Sequence, residues 1–231
     1  TEVDTLSLHD ALPISLHRRG YRLAGGRAPL RETLAAAMLW ASGWRHGSHP
    51  AALMDPFCGS GTLLIEAAQI AAGWAAGAQR KQYGFQQWRG CRRQLWQEAM
   101  AEAADSVRQP LPEMSLKGFD VDGRAIQLAQ QNAERAGVRQ AIHFERRELG
   151  ALRPRDFADQ GLLVANPPWG ERLDEQQQAG WLHFALGRLL ARLAPNWRAI
   201  LLGADAEVMD RSGMDVQGQW RLKNGPVNNF I

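Results

Sequence analysis

The chain has 231 residues, 45% of them hydrophobic and 22% charged. That is enough for one well-packed domain and too balanced for a disordered or fibrous protein. A net charge of +3 and a pI of about 9.2 permit a nucleic-acid partner without demanding one. No apolar run approaches the ~20 residues of a membrane span, so no membrane association is expected. Cys58 and Cys91 are too few for a disulfide framework and lack zinc-site spacing, which points to a reducing cytoplasm and no metal.

Thr1 to Ser15 lack the basic start and cleavage site of a signal peptide and show no continuous period. They are expected to be a foreign or poorly ordered leader, with the domain running over residues 16–231. Pro29 opens a helix over Leu30–Ser42, and Gly43 closes it. Ala51–Asp55 reads as a buried strand ending in an acid. Gly59-Ser60-Gly61 breaks it, and Thr62–Ala72 continues as a helix. Gly73–Gly90 is irregular and rich in Gly, Gln and aromatic residues. Arg92–Val107 reads as a helix, ended by Pro110 and Pro112. Ser115–Asp120 is the second strand, followed by a helix over Gly123–Ala136 that Gly137 closes. Ala141–Glu148 and Gly161–Ala165 are the third and fourth strands. Gln176–Leu193 is a long helix, and Arg198–Ala204 a fifth strand. Gln219–Lys223 and Val227–Ile231 supply the sixth and seventh. Strands alternating with helices mark an α/β fold with a mostly parallel sheet.

Asp55-Pro56-Phe57-Cys58-Gly59-Ser60-Gly61 carries the first chemical signal. An acid ends a strand, and two glycines follow with one residue between. Gly59 permits a backbone conformation closed to other residues, and Gly61 lets a ligand approach the chain. The next helix offers its positive N-terminus. Such turns bind the adenosine or phosphates of a cofactor at the carboxyl edge of a sheet. Alone the turn is a weak signal, because a tight ligand-free turn has the same sequence. A dinucleotide site is disfavoured, since Leu64 stands where a third glycine belongs. A P-loop is disfavoured by the missing lysine. No base is visibly paired with Cys58, so a nucleophilic thiol is disfavoured too.

Asp120 ends the second strand, where a carboxylate can accept both hydroxyls of a ribose. It lies well beyond the ~20-residue spacing of a plain dinucleotide fold, because Gly73–Val107 is inserted between. Asp122 is expected to cap the next helix. Glu148 ends the third strand and is either a receiver for an adenine amino group or a solvated edge acid.

Asn166-Pro167-Pro168-Trp169 is the most specific feature. Two prolines remove two backbone donors and stiffen the chain. The Asn166 side-chain oxygen and the Pro167 carbonyl then converge as acceptors, suited to gripping a planar amino group. They would aim its nitrogen lone pair at a methyl donor. Trp169 offers a face on which a base can stack, worth about 1–3 kcal/mol. The alternative is a rigid Pro-Pro turn with a packing tryptophan.

These residues carry a family resemblance. Asp55 to Thr62 resembles motif I of Rossmann-like methyltransferases, and Asn166 to Trp169 resembles the (N/D/S)PP(Y/F/W) motif of amino-methylating enzymes. Together with His17-Arg18-Arg19-Gly20-Tyr21-Arg22, Ala28 to Leu34, Tyr83-Gly84-Phe85, Trp88 and Gly170 to Leu173, they resemble the bacterial 23S ribosomal RNA guanine-N2 methyltransferase family, over roughly residues 16 to 225.

The resemblance implies a Rossmann-like methyltransferase fold: a seven-stranded mostly parallel sheet, helices on both faces, the last strand cut short at Ile231. It implies S-adenosyl-L-methionine as cofactor and the N2 amino group of a guanine in large-subunit ribosomal RNA as target. Asp55, Phe57, Gly59 and Gly61 would line the cofactor, Asp120 its ribose and Glu148 its adenine. Pro29 would close over its methionine end. Asn166, Pro167 and Trp169 would hold the base. Three departures stand out: Trp169 where Tyr is usual, Glu148 where Asp is usual, and no RNA-binding THUMP domain upstream of the segment. A monomer is expected. Gly73–Val107 is expected to form a cap beside the cofactor cleft and to reach RNA through Arg89, Arg92 and Arg93. An adenine-N6 methyltransferase shares the tetrad and is the nearest rival. A non-catalytic RNA-binding module is the rival from another class. No Pro-Cys nucleophile supports a cytosine-C5 enzyme.

Overall fold

The computed structural model describes residues 18–22, 30–80, 83–107, 113–168, 173–193, 196–203, 218, 221–224 and 227–230. The expected leader, Pro29 and Trp169 lie outside these residues. Five helices are present among them: α1 (Glu32–Ala41), α2 (Thr62–Ala71), α3 (Arg93–Asp105), α4 (Gly123–Arg135) and α5 (Leu173–Leu193). The strands are β1 (Ala52–Asp55), β2 (Ser115–Asp120), β3 (Ile142–Arg146), β4 (Gly161–Ala165), β5 (Trp197–Leu201), β6 (Arg221–Asn224) and β7 (Val227–Phe230).

The first five strands form one parallel sheet in the order β3-β2-β1-β4-β5. The fold is therefore the expected α/β, Rossmann-like one. The seven strands do not all share a sheet among the described residues, because β6 and β7 pair with each other, antiparallel. β1 and β4 are buried along their whole length, as strands covered on both faces must be.

Alternation along these strands feeds two cores. Leu53, Leu116, Leu162 and Val164 face one cluster with α1, α2 and α4. Ala52, Met54, Leu163 and Ala165 face the other, where Leu186, Leu189 and Leu193 of α5 pack. α2 is apolar almost all round because it lies among α1, α4 and the sheet. Truncating Leu64, which has no solvent exposure, to Ala costs about 2–5 kcal/mol. α4 buries only the stripe Ile126, Ala129, Asn132 and Ala133, and Asp122 caps it by accepting from the Arg124 N–H at 2.8 Å. α3 buries nothing.

The insertion is not a cap over the carboxyl edge of the sheet. Its anchors are the Gln79 amide on the Ala136 carbonyl, 3.1 Å, and the Ser106 hydroxyl on the Gly73 carbonyl, 3.1 Å. Both lie beyond the C-terminal ends of α2 and α4. Each helix runs back along the sheet, so the insertion sits at the opposite end from the glycine turn. The ten residues of α2 put about 15 Å between them. Its length in sequence said nothing about which edge it would occupy.

Candidate functional site

The strand order turns back between β1 and β4, and ligands of open α/β sheets bind outside the carboxyl ends of strands at such a point. A cleft of about 410 Å³ opens there, lined among others by Asp55 and Phe57 after β1, Gly59 in the turn and Asn166 after β4. Sequence positions more than a hundred residues apart are thus brought to one wall.

The turn is held from several sides. Asp55 accepts the Phe57 N–H at 3.0 Å. Asp120 accepts the Gly59 N–H at 3.0 Å and, through its other oxygen, the Asp122 N–H at 2.9 Å. The Cys58 N–H donates to the Phe119 carbonyl at 2.9 Å, and the Gly61 N–H to the Cys58 carbonyl at 2.7 Å. The β1 turn and the end of β2 are therefore one hydrogen-bonded unit. Asp120 retains the second lone pair of each oxygen.

The two glycines serve different ends. Both have positive φ, +50° at Gly59 and +81° at Gly61. A Cβ at Gly59 would meet nothing nearer than 4.0 Å, whereas at Gly61 it would lie 3.1 Å from both Ala129 Cβ and Phe144 Cζ. Gly59 thus leaves space on the cleft wall. Gly61 is required by the seating of the turn against α4 and β3, and it is not among the cleft-lining residues.

Asp55 is 1% exposed. Burial is the main cause that pushes its carboxyl up to about 8; the Phe57 N–H opposes the rise, and the nearby charge of Asp120 adds to it. Burial, then the charges of Asp55 and Asp120, raises the Cys58 thiol well above its ordinary value. A thiolate nucleophile is disfavoured there.

Asn166 is half-buried, Pro167 buried and Pro168 exposed at the end of β4. Glu148 is exposed, at the start of a short 3-10 turn, and outside the residues lining the cleft. Among the described residues no His, Cys, Asp or Glu cluster could hold a metal, and no helix is long and apolar enough to cross a membrane.

No chemical role could be read from the sequence for the supporting residues, although Arg19, Tyr21 and Arg22 stand in a segment that carries the family resemblance. Arg22 donates to the Leu30 carbonyl at 2.5 Å and the Thr62 hydroxyl at 2.9 Å, and its Nε lies 3.3 Å from Glu32 Oε1. It ties the strap at 18–22 to the starts of α1 and α2, and Leu30 and Thr62 both line the cleft. Glu66, buried on α2, accepts from Arg19 at 3.4 Å and from the Tyr21 hydroxyl at 3.3 Å. Asn132 donates to the Ser60 carbonyl from α4.

The family profile described as "RMKL-like, methyltransferase domain" matches residues 19–229. The chain is 73% identical over 216 residues to the "Ribosomal RNA large subunit methyltransferase K/L" of Alcanivorax borkumensis, covering 94% of this chain and 31% of that protein. It spans under a third of the curated relatives it matches. Among solved structures, SMU.472, assigned as a methyltransferase and complexed with SAH, has a TM-score of 0.82 at 29% identity, covering 93% of this chain and 54% of that one. A protein from Listeria monocytogenes assigned as an N6-adenine-specific DNA methylase has a TM-score of 0.77 at 33% identity, covering the same shares.

Proposed function

The chain belongs to the RMKL-like methyltransferase domain family, and from that premise we propose that it transfers a methyl group from S-adenosyl-L-methionine to the N2 amino group of a guanine in large-subunit ribosomal RNA. The observation that carries this reading is the meeting of Asp55, Gly59 and Asn166 on one cleft at the carboxyl ends of β1 and β4. The cleft fits the cofactor: it holds open space over Gly59 and buried carboxyl chemistry at Asp55. The name of the 73%-identical relative supports the RNA substrate.

When bound, the cofactor supplies an electrophilic methyl. The chain supplies position. Asp55, Phe57, Gly59 and Gly61 would hold or shape the cofactor turn, Asp120 would take the ribose hydroxyls, Glu148 the adenine amino group, and Pro29 would close over the methionine end. Asn166 and Pro167 present two acceptors to the target amine, and Trp169 stacks on its base. An exocyclic amine is a poor nucleophile because its lone pair is delocalised. Acceptors fixed at the end of a buried strand favour the pyramidal nitrogen of the transition state, an electrostatic preorganisation. Holding the amine in line supplies the remainder. No separate base is required, because the proton can leave after transfer.

The catalytic domain spans residues 16–231, with 1–15 outside it. It would act in the cytoplasm as a monomer, beside an upstream THUMP-type RNA-binding domain. A second reading, adenine-N6 methylation, is favoured by the Listeria neighbour. Titration with S-adenosylhomocysteine tests the cofactor: micromolar binding is expected, and a folded sample that binds none would overturn the reading. Nucleoside mass spectrometry of methylated RNA separates N2-methylguanosine from N6-methyladenosine.

A further inference from the structure

The end of the molecule away from the cleft carries a second feature that chain stability does not explain. Trp88 is 59% exposed, yet its backbone is fixed: its N–H donates to the Phe85 carbonyl at 3.1 Å, and its carbonyl accepts from Cys91 at 3.0 Å. In the flanking segments Trp96 meets Tyr83 and Phe85 edge to face at 4.8 and 5.0 Å, and Tyr83 and Phe85 lie tilted at 5.7 Å. The indole is therefore exposed on a segment whose backbone is tied down next to a small aromatic cluster in sequence. Arg89, Arg92 and Arg93 follow it closely in sequence, all exposed, and none forms an ion pair with a described residue.

The placement of these cations works against the helix they introduce. Arg92 is the N-cap of α3, with no capping side-chain hydrogen bond, and Arg93 is its first residue. Cations there oppose the helix dipole at about 0.3–1 kcal/mol each. Glu102 and Asp105 lie in its last turn, also against the dipole. Three guanidiniums without an ion pair among the described residues, next in sequence to an exposed indole, instead complement a phosphate backbone with unstacked bases.

We propose that Trp88, Arg89, Arg92 and Arg93 form a docking surface for single-stranded RNA flanking the target, remote from the cleft. The inference rests on the RNA substrate of the proposed function. One unpaired base stacks on Trp88, and the three arginines contact consecutive phosphates. The surface carries no base-edge readout, so it contributes affinity and orientation, not sequence choice.

The test measures binding of a fluorescein-labelled RNA hairpin with a single-stranded tail by anisotropy across salt concentrations, with S-adenosylhomocysteine titrated calorimetrically on the same samples. Trp88→Ala is expected to weaken RNA binding roughly tenfold. The triple change Arg89→Ala, Arg92→Ala, Arg93→Ala is expected to lower the slope of log affinity against log salt by about 2 to 3. Both variants should bind S-adenosylhomocysteine as the unaltered chain does. Unchanged RNA affinity and salt slope with intact cofactor binding would overturn the surface alone and assign the patch to a protein partner. Absence of cofactor binding in the unaltered chain would overturn the methyltransferase reading, and this inference with it.

Discussion

The side-chain amide of Asn132 donates to the main-chain carbonyl of Ser60 across 3.0 Å, from a position on α4 with no solvent exposure. A polar side chain on the buried stripe of a helix thereby fixes the middle of the glycine turn. Asn132→Leu keeps the branched shape and removes the donor, leaving the Ser60 carbonyl without this partner. A stability loss of about 1–3 kcal/mol is expected. Loosening of the turn should also weaken S-adenosylhomocysteine binding by roughly tenfold, the equivalent of about 1.4 kcal/mol. Urea unfolding and calorimetry check the two effects separately.

The glycines of the turn predict a contrast. Gly61→Ala must accommodate both a left-handed backbone and a Cβ 3.1 Å from Ala129 and Phe144. It should destabilise the chain by about 2–5 kcal/mol. Gly59→Ala meets no close neighbour and should cost only the backbone strain, about 1–2 kcal/mol, while placing a methyl in the cleft. Thermal unfolding should rank Gly61→Ala as the less stable variant, and cofactor titration should show the Gly59→Ala defect at equal folding.

Asp55 makes stability depend on pH in a stated direction. Its carboxyl is raised from 3.8 to about 8 in the folded chain, chiefly by burial. Between those values the folded state holds a proton that the unfolded state releases. Stability is fully present at low pH and is lost as pH rises toward 8, at up to about 1.4 kcal/mol per pH unit. Asp55→Asn can keep the Phe57 N–H bond without the charge. Its stability relative to the unaltered chain should therefore increase from pH 5 to pH 8 in urea unfolding; an unchanging difference would refute the assignment.

Arg22→Lys keeps a cation near Glu32 but loses the planar fork that serves Leu30 and Thr62 together. The wall of the cleft at Leu30 should loosen. A stability cost of about 1–2 kcal/mol is expected, with a several-fold rise in the cofactor Kd and little change in kcat. A fall in kcat with unchanged Kd would contradict a positioning role.

Much of this architecture could be read from residue order. Ser115–Asp120 and Gly161–Ala165 match β2 and β4 at both ends, because strong stop signals bound each. Gly59 and the Asp122 cap followed from local backbone chemistry. What could not be read depends on tertiary contact. The seating of Gly61 against Ala129 and Phe144, the Asn132 donor and the Arg22 strap join elements far apart in sequence, and none has a spacing that announces it. The edge occupied by the insertion was misjudged for the same reason. The pairing of β6 with β7, apart from the main sheet among the described residues, is likewise a choice of partner that strand propensity leaves open.

The most direct measurement is methyl transfer to protein-free large-subunit RNA by the unaltered chain and by Asn166→Ala, with products identified as modified nucleosides and S-adenosylhomocysteine affinity measured for both. N2-methylguanosine from the unaltered chain, and a loss on the order of 100-fold in Asn166→Ala at equal cofactor affinity, is the predicted result. Equal rates from the two proteins would contradict the role given to Asn166, and N6-methyladenosine as the product would contradict the guanine assignment.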